Sequence, residues 1–526
     1  MESVLTGELL AVGLFGGVIA ALLLGYPIAF TLPGMALVFA LIGWAAGVFD
    51  LSYFNALPLR YWGVITNEVL IAVPLFVFMG VMLERSKLAE SLLNTMGELF
   101  GDLRGGLGVS AVLVATLLGA STGIVGATVV TMGLISLPAM LNAKYDKRLA
   151  SGLICASGTL GQIVPPSTLL VFLAVILQSS YSQAQLAKGN FTPATLSVGD
   201  LFAGALLPGL MLAAAYALWV LGNALFRPAS APALKVSKDA RRGLGQRVVV
   251  ALLPPLLLII AVLGSIVAGI ATPTESASVG AVGAIFLTLV KLISEHHARG
   301  HSQERAERLL FRFWVGIFLA LVVFGLLAGG LGVLALTAVL LCLGAGIVLG
   351  IGDLRRRFIG TVDEVCRSSL VITSMVFVIF LGASVFSVVF TRLGGEALAH
   401  DVLTSMPGGV TGAIMVVMAF MFVLGFFLDP FEIIFVVVSI VSPILFNMDV
   451  DPVWLAVLIG INLQTSYLTP PFGFSLFFLR GVAPDSVSTA DIYRGILPFV
   501  AIQVLCMGLV WTFPPLATWL PRLIYH

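Results

Sequence analysis

The stretch SGTLGQIVPPST (Ser157–Thr168) contains two adjacent prolines inside an apolar run, and TSYLTPPFGFS (Thr465–Ser475) repeats this pattern about three hundred residues later. Proline removes a backbone donor and breaks a helix. A broken backbone is costly in lipid, because no water is present to satisfy the freed polar groups. Two such breaks in one chain therefore call for a functional explanation.

The composition indicates a membrane protein. The chain has 526 residues, of which 59% are hydrophobic and only 10% charged, and its mean hydropathy is +1.11. A soluble protein of this length needs more charge on its surface, and apolar runs near the length of a bilayer crossing recur from end to end. We predict an all-α polytopic membrane protein in contact with the lipid bilayer. The net charge of +1 gives no indication of nucleic-acid binding.

The cysteines and the N-terminus carry no further signal. The cysteines lie far apart and match no zinc-binding spacing, so we interpret them as small apolar packing residues. Glu2 and Glu8 replace the basic start of a cleavable signal peptide, which is therefore not predicted. The four cysteines are Cys155, Cys342, Cys366 and Cys506.

Basic loops give a topology. Segments 227–247, 291–312 and 353–357 are rich in Lys and Arg, and the positive-inside rule places all three in the cytoplasm. The apolar stretches between them must then cross the membrane in pairs. These pairs are 248–270 with 274–290, and 313–330 with 333–350.

Landmarks recur along the chain. In each copy a glycine is followed by a single proline, 19 residues later in the first copy and 18 in the second. A Pro-Pro pair begins 27 residues after that proline, and an aspartate lies eight residues after it. Matching landmarks at matching spacing indicate an internal duplication. They are Gly119, Pro138, Asp146 and Pro165 in the first copy, and Gly425, Pro443, Asp451 and Pro470 in the second.

Loop charge suggests that the duplication is inverted. Residues 144–148 (KYDKR) carry a net +2 and residues 447–452 (NMDVDP) a net −2, so we predict a cytoplasmic first loop and an external second loop. Crossing counts agree if 107–141 and 410–446 are hairpins that enter and leave on one side, with both chain ends outside. Inverted repeats with broken helices are typical of secondary transporters, in which unwound carbonyls and half-helix ends bind ions or substrate. A kink used only for packing is the alternative.

These boundaries predict four parts. An N-terminal half, 1–226, holds the first hairpin (about 107–141) and the first broken helix (about 149–179). A C-terminal half, 353–526, holds the second hairpin (about 410–446) and the second broken helix (about 453–479). Between them lie basic loops flanking a helix pair, 227–312, and an additional helix pair, 313–352.

The first predicted hairpin tip is GASTGIVGATVV (Gly119–Val130). Ser121 and Thr122 offer oxygen atoms, which hard cations prefer as ligands, although small residues also favour helix packing. The stretch also spells G-x-S-x-G, a possible serine nucleophile. Such a serine needs a nearby base, and the histidines lie in polar loops or at the C-terminus, which disfavours a membrane-embedded serine hydrolase. They are His296, His297, His301, His400 and His526.

The second predicted tip, LGFFLDPFEII (Leu424–Ile434), is acidic. Ionisable groups at membrane depth are costly and are candidates for function. Asp429 directly precedes Pro430, so we predict that it begins a helix, where aspartate is also a good cap. Capping and ion binding are compatible. For Glu432, one turn later, the alternative prediction is that it faces a vestibule instead of the ion.

Polar residues approach both breaks at equivalent positions. Ser157 and Asn462 lie eight residues before their Pro-Pro pairs, and Thr159 and Gln464 lie six before. Ion binding and interhelical hydrogen bonding both remain open for them. Further oxygen atoms near the second break come from Thr465, Ser466 and Thr469. IATPTESASVG (Ile270–Gly280) is a third break, for which a plain external turn is the competing interpretation.

Six pieces occur in a recognisable order: GASTGIVGATVV, SGTLGQIVPPS, LFAGALLPGL, ATPTESASVGA, GFFLDPFEIIF and INLQTSYLTPPFGFSLFFL. This order resembles the large membrane subunit of tripartite ATP-independent periplasmic (TRAP) transporters of the DctM type. The resemblance runs from the N-terminus to about residue 295 and from about residue 365 to the end. Residues 313–350 are an addition to the usual pattern, and the first tip reads G-A-S-T where the family more often has G-S-S.

The resemblance implies a transporter, not an enzyme, in the bacterial inner membrane. It implies sodium-driven import of a small organic acid, such as a C4-dicarboxylate or related carboxylate, with no cofactor beyond Na⁺ as coupling ion. The implied partners are a periplasmic substrate-binding protein and a separate small membrane subunit of about four helices. The implied mechanism is of the elevator type, with both re-entrant hairpins and Pro-broken helices in the mobile part. A stand-alone ion-coupled anion transporter is the alternative.

The resemblance also assigns site residues. Sodium candidates are Ser121, Thr122, Asp429 and Thr465. The full set of candidate ion- or substrate-binding residues is Gly119, Ser121, Thr122, Ser157, Thr159, Pro165, Pro166, Asp429, Asn462, Thr465, Thr469, Pro470 and Gly473.

Overall fold

The computed structural model describes residues 2–86, 88–123, 125–192, 195–234, 244–298 and 352–525. Every regular element in these ranges is helical, which confirms the all-α prediction. The additional helix pair predicted at 313–350 lies outside the described residues, as do Cys342 and His301.

The helices are numbered in chain order. They are α1 (Glu2–Leu23), α2 (Ile28–Ala45), α3 (Leu57–Ile65), α4 (Glu68–Arg85), α5 (Leu88–Phe100), α6 (Gly106–Thr122), α7 (Val125–Asn142), α8 (Lys147–Thr159), α9 (Thr168–Ala187), α10 (Val198–Phe226), α11 (Leu244–Val267), α12 (Pro273–Ala298), α13 (Gly352–Arg392), α14 (Gly395–Thr404), α15 (Gly409–Leu424), α16 (Pro430–Asn447), α17 (Pro452–Leu468), α18 (Phe474–Val482), α19 (Thr489–Thr512) and α20 (Pro515–Tyr525).

Many of these helices have the length and composition of membrane spans. Within the described ranges, ten are long and apolar enough to cross a bilayer, and an eleventh span results if the chain from Leu51 to Arg85, bent by 54°, counts as one. The hairpin arms α6 and α15 and the helix α17 are shorter apolar helices. The polytopic architecture is confirmed, and re-entry of the hairpins remains a prediction.

Both proline pairs interrupt a helix. The first break separates α8, which ends at Thr159, from α9, and a short 3₁₀ turn (Leu160–Gln162) lies inside it. The second separates α17 from α18. The peptide bonds Pro165–Pro166 and Pro470–Pro471 are both cis. The two breaks thus share a cis Pro-Pro bond as well as a sequence pattern.

The loops before the broken helices also match. Lys144 and Asp449 are the non-glycine residues with positive φ in the described chain, at 63° and 65°. Two residues later, Asp146 and Asp451 each accept hydrogen bonds from backbone N–H groups at the start of the next helix. Asp449 and Asp451 each lie 305 positions after their counterparts Lys144 and Asp146. The structure thus supports the duplication.

Contacts at the helix ends show that the copies are antiparallel. Lys147, at the base of the first hairpin, donates to the carbonyl of Ser486 just after α18, at 2.6 Å. Lys188, just after α9, donates to the carbonyl of Phe446 at 2.8 Å and to Asp449 Oδ1 at 2.5 Å, at the base of the second hairpin. Each broken helix therefore starts at the base of its own hairpin and ends at the base of the other. The duplication is inverted.

The broken helices form the centre of the molecule. Every residue from Leu149 to Thr159 and from Leu455 to Leu468 is buried, as expected for stretches that hold no charged residue. The helix α19 packs on α8, α16 packs on α9, and α4 packs against α6, α9, α12 and α13. This packing brings both hairpin tips to the breaks.

Candidate functional site

The first hairpin tip lies directly against the first break. A Cβ on Gly119 would stand 2.7 Å from the Gly161 Cα and backbone N, so only glycine permits this approach. Gly123 ends α6 with a φ of 61°, and its carbonyl accepts a hydrogen bond from Thr168 Oγ1 at 3.2 Å. The tip of the first hairpin is therefore held at the N-terminus of α9.

The second tip lies against the second break in a different way. Asp429 is the N-cap of α16, which confirms the predicted helix start. Its Oδ1 accepts from the Phe431 backbone N–H at 3.1 Å, and its Oδ2 accepts from the Tyr467 hydroxyl at 2.9 Å. Glu432 Oε2 accepts from the Asp429 backbone N–H at 2.9 Å, completing a capping box. Glu432 thus supports the cap.

Four hydroxyl groups near the breaks share one hydrogen-bonding pattern. Each donates to a carbonyl of its own helix at 2.6 to 2.8 Å. A hydroxyl whose proton is used this way keeps its oxygen lone pairs as acceptors, which is the state that binding of a cation requires. These residues are Ser157, Thr159, Thr465 and Thr469.

Two amides link elements instead. Asn462 Nδ2 donates to the Met418 carbonyl of α15 at 2.9 Å. Gln464 Nε2 donates to Thr159 Oγ1 at 3.0 Å. Thr159 and Gln464 are equivalent positions of the two repeats, so the inverted broken helices meet at this pair. The interhelical hydrogen bonding that competed with ion binding is therefore present for these two amides.

The other predicted site residues take simpler places. Pro165, Pro166 and Pro470 lie within the breaks, and Gly473 is the N-cap of α18. Ser121 and Thr122 form the last turn of α6, and their side chains lie outside the description. At the third break, Glu275 accepts from the Thr272 N–H at 2.8 Å while Pro273 begins α12. The plain-turn interpretation fits that geometry.

A cavity of about 180 Å³ lies between the two tips. The first repeat lines it with Gln162 and with the N-terminal residues of α7 and α9, and the second with Asp429 and Tyr467. The remaining walls are mainly apolar. They comprise Val73 and Val77 of α4, Ile372, Met375 and Val376 of α13, and Phe172, Phe431 and Phe478.

Sequence reasoning missed several members of this cavity. Gln162 and Tyr467 each lie three residues before their Pro-Pro pair, so they are equivalent in the repeats, and the landmark spacing held the signal that would have found them. Gln162 is only 5% exposed, and its Oε1 has no hydrogen-bond partner. Thr168 was missed because its contact with Gly123 depends on how the hairpin folds back.

Aromatic rings separate this cavity from a larger one. The ring of Phe172 contacts Phe431 and Phe435 with centroids at 5.4 and 5.2 Å, and Phe435 stacks on Phe380 of α13 at 4.6 Å. Beyond them, a cavity of about 720 Å³ opens among α3, α4, α9, α13, α14 and α16 and is rich in serine and glutamine. The aromatic rings thus form a layer between a polar vestibule and the cavity at the tips.

The described residues hold no cluster of three or more histidine, cysteine, aspartate or glutamate side chains suited to a metal ion. A cation at these breaks would instead meet hydroxyl, carbonyl and single carboxylate oxygens. This donor chemistry fits a hard cation such as sodium, as unwound helices in transporters provide.

An inverted repeat with two broken helices and about ten apolar spans defines a polytopic membrane transporter. A solved structure supports this fold: the Alcanivorax borkumensis YdaH transporter aligns with a TM-score of 0.51 at 13% identity, covering 88% of this chain and 89% of that one. The sequence profile for "Tripartite ATP-independent periplasmic transporter, DctM component" matches residues 15–337 and 295–516. The chain belongs to this DctM family, and it is a multi-pass protein of the bacterial inner membrane.

Relatives within the family differ in the substrates that their names carry. The chain is 26% identical to the C4-dicarboxylate TRAP transporter large permease protein DctM of Vibrio cholerae, over 90% of this chain and 88% of the relative. It is 25% identical to the ectoine large permease protein TeaC of Halomonas elongata, over 87% of both chains. It is 24% identical to the sialic acid large permease protein SiaM of Vibrio cholerae, over 88% of both. The family is shared, and the substrate varies.

Proposed function

We propose that this chain is the large permease subunit of a tripartite, sodium-coupled importer of small organic acids. The observation that carries the proposal is the pair of junctions at which each hairpin tip meets a broken helix. Near these junctions, Ser157, Thr465 and Thr469 donate their hydroxyl protons within their own helices, so their oxygen atoms remain as acceptors. Membership in the DctM family supports the tripartite part of the proposal.

We assign the ion to the same junctions. At the second junction, the candidate ion ligands are Asp429 on the tip and Thr465 near the break. At the first tip, the candidate ion ligands are Ser121 and Thr122. The coupling ion would lower the cost of moving the tips with cargo, because it neutralises Asp429 at membrane depth. The cargo cavity lies between the tips on one side and α4 with α13 on the other. In an elevator mechanism, the tips and broken helices move together against α4 and α13.

The partners follow from the same proposal. A small membrane subunit of about four helices is a separate chain, and a periplasmic binding protein delivers the organic acid. Because that protein captures the cargo, uptake depends on it. A stand-alone ion-coupled transporter would take up cargo without it.

Uptake into proteoliposomes tests the function. The vesicles hold this chain and its small subunit, and radiolabelled organic acids are presented under an inward sodium gradient, with and without the binding protein. Uptake that needs both sodium and the binding protein supports the tripartite importer. Uptake without the binding protein supports the stand-alone transporter, and uptake that is equal in sodium and potassium overturns sodium coupling.

A further inference from the structure

One polar side chain of the cavity between the tips is left for a ligand to bind. The polar side chains that line this cavity are those of Gln162, Thr168, Asp429 and Tyr467. The Thr168 hydroxyl donates to the Gly123 carbonyl, and the Tyr467 hydroxyl donates to Asp429. The side chain of Gln162 is only 5% exposed, yet its Oε1 has no hydrogen-bond partner. Within this set, Gln162 therefore carries the unused acceptor.

The first break holds Gln162 at the cavity. The residue ends the short 3₁₀ turn inside the break, and its backbone carbonyl accepts a hydrogen bond from the Ser167 hydroxyl at 2.7 Å. Its neighbour Gly161 lies so close to the first tip that a Cβ there would stand 2.5 Å from the Gly119 Cα. The amide is thus positioned by packed backbone on both sides of the break.

A buried glutamine of the second repeat provides a contrast. The Oε1 of Gln464 also has no hydrogen-bond partner, but its Nε2 donates to Thr159 Oγ1, and the residue is not among those that line the cavity. An unsatisfied acceptor is costly wherever it is buried. Of these two acceptors, only that of Gln162 can be satisfied by a molecule that enters the cavity.

The group that satisfies this acceptor must donate a hydrogen bond. A carboxylate has no proton to donate, and an ammonium group is costly to bury among walls that are mainly apolar. A hydroxyl group is a neutral donor. Water can fill this role before cargo enters, but cargo that displaces such a water loses affinity unless one of its own groups replaces the hydrogen bond. A hydroxyl on the cargo makes that replacement.

The cavity also limits the rest of the cargo. None of the described residues that line it is a lysine, arginine or histidine, so the cargo carboxylate is placed beside the coupling ion rather than beside a cationic side chain of this wall. The volume of about 180 Å³ is smaller than the roughly 300–1,000 Å³ of pockets for drug-sized ligands. These limits suit a short carbon chain that carries a carboxylate and a hydroxyl.

We infer that Gln162 is a specificity-determining residue, whose Oε1 accepts a hydrogen bond from a hydroxyl of the cargo, so that this chain selects short hydroxy acids over the same acids without the hydroxyl. The inference rests on the proposed transport function and narrows its substrate class, and it leaves the ion assignment at Asp429 unchanged. A sodium ion on Oε1 is the rival use of this oxygen, because hard cations also take oxygen ligands.

Binding to the full chain, purified in detergent together with its small subunit, tests the selection. The binding protein is left out, because it would impose a selection of its own. Thermal unfolding at saturating sodium is followed as each acid is added, and the rise of the midpoint with concentration gives the dissociation constant. The probes pair hydroxy acids with their parents: malate with succinate, and 2-, 3- and 4-hydroxybutyrate with butyrate.

At least one hydroxy acid should bind roughly tenfold or more tightly than its parent, because the parent leaves the buried amide unpaired. The probe 2-oxobutyrate, which has an acceptor in place of the donor, should bind no more tightly than butyrate. Equal binding within every pair, tighter binding of 2-oxobutyrate than of 2-hydroxybutyrate, or no binding of any hydroxy acid overturns the inference.

Variants locate the selecting group. Gln162→Leu removes the amide and keeps most of its bulk, so it should weaken hydroxy-acid binding by roughly tenfold and leave binding of the parent acids unchanged. The variant should unfold no more easily than the wild type, because an apolar group replaces an unsatisfied amide. Gln464→Leu is the matched control: it removes a buried amide that lies outside the cavity, and the preference for hydroxy acids should persist.

The outcomes are distinct from those of the uptake experiment. If Gln162→Leu keeps the hydroxyl preference and instead raises the sodium concentration needed for binding of every probe, Oε1 serves the ion and the inference about cargo is wrong. The sodium-coupled, binding-protein-dependent import would then stand. If the hydroxyl preference and its loss in Gln162→Leu appear as expected but uptake needs no sodium, selection by Gln162 stands and the coupling proposal falls.

Discussion

The two repeats share the order of their helices and breaks, and their tips differ in length and in chemistry. Two residues separate α6 from α7, and five separate α15 from α16. The shorter tip is built from small uncharged residues and packs glycine on glycine, whereas the longer tip carries Asp429 and Glu432. The duplication therefore supplies a symmetric frame, and side-chain differences place a carboxylate on only the second-repeat side of the cavity.

The same contrast appears along the broken helices. Thr159 opposes Gln464 across the repeats in a direct hydrogen bond, and Gln162 corresponds to Tyr467, which holds Asp429. Equivalent positions thus lie side by side but carry different groups. The duplication thus keeps two matched halves with different side chains at equivalent positions.

The largest effect is expected from the glycine contact of the first tip. Gly119→Ala should abolish uptake and lower the free energy of unfolding by roughly 1–3 kcal/mol, because its Cβ meets the backbone of Gly161. Gly425→Ala should be milder, since its Cβ meets the Ser466 side chain, and Ser466→Gly should restore function in that background. Uptake into proteoliposomes measures the activity of each variant, and unfolding in detergent measures its free energy of unfolding. Wild-type uptake by Gly119→Ala would show that the first tip accepts a methyl group as readily as the second, and the predicted difference between the tips would be wrong.

The second prediction concerns charge at the second tip. Asp429→Asn should raise the sodium concentration for half-maximal uptake by roughly tenfold, because a neutral amide binds a cation less strongly than a carboxylate. The measurement is uptake against external sodium at a fixed membrane potential, with Glu432→Gln as control. An unchanged sodium curve would remove Asp429 from the ion site.

The third prediction uses the contact between the repeats. Thr159→Val should lower the free energy of unfolding by about 1–3 kcal/mol, since it leaves the buried Gln464 amide without its partner. Gln464→Leu should cost less, because Thr159 keeps its bond to the Ala156 carbonyl. Denaturant unfolding of both single variants and the double variant measures the coupling. If the double variant lowers the free energy of unfolding by the sum of the two single effects, the coupling energy between Thr159 and Gln464 is zero.

The smallest effects are expected from the two lysines that each join the base of one hairpin to the end of a broken helix. Lys188→Met should lower the free energy of unfolding by less than about 1 kcal/mol, and the loss should shrink in high salt, because Lys188 is paired with exposed Asp449. Lys147→Met loses a bond to a carbonyl, and its effect should depend less on salt. Unfolding at low and high salt compares them. An equal salt response would mean that the ion pair at Lys188 contributes nothing.

The sequence alone determined the class of the fold and named several residues that the structure places at the tips and breaks. Long apolar runs, proline pairs and loop charge are local signals, so the helices, the two breaks, the duplication and the helix start at Asp429 were all readable without coordinates. The equivalence of Asp146 and Asp451 follows from the same spacing, and the structure added that both are helix caps. These features depend on each segment by itself.

Only the tertiary structure decided which groups meet. A helix that is buried on every face along most of its length, such as α8 or α17, gives no periodic signal for the side that faces a given partner. The contacts of Asp429 with Tyr467 and of Thr159 with Gln464 depend on how these helices rotate and pack. The cavity likewise arises because the folded hairpins bring the starts of α7 and α9 and the Asp429 carboxylate to one place. Packing between distant segments, rather than any local pattern, fixed the site.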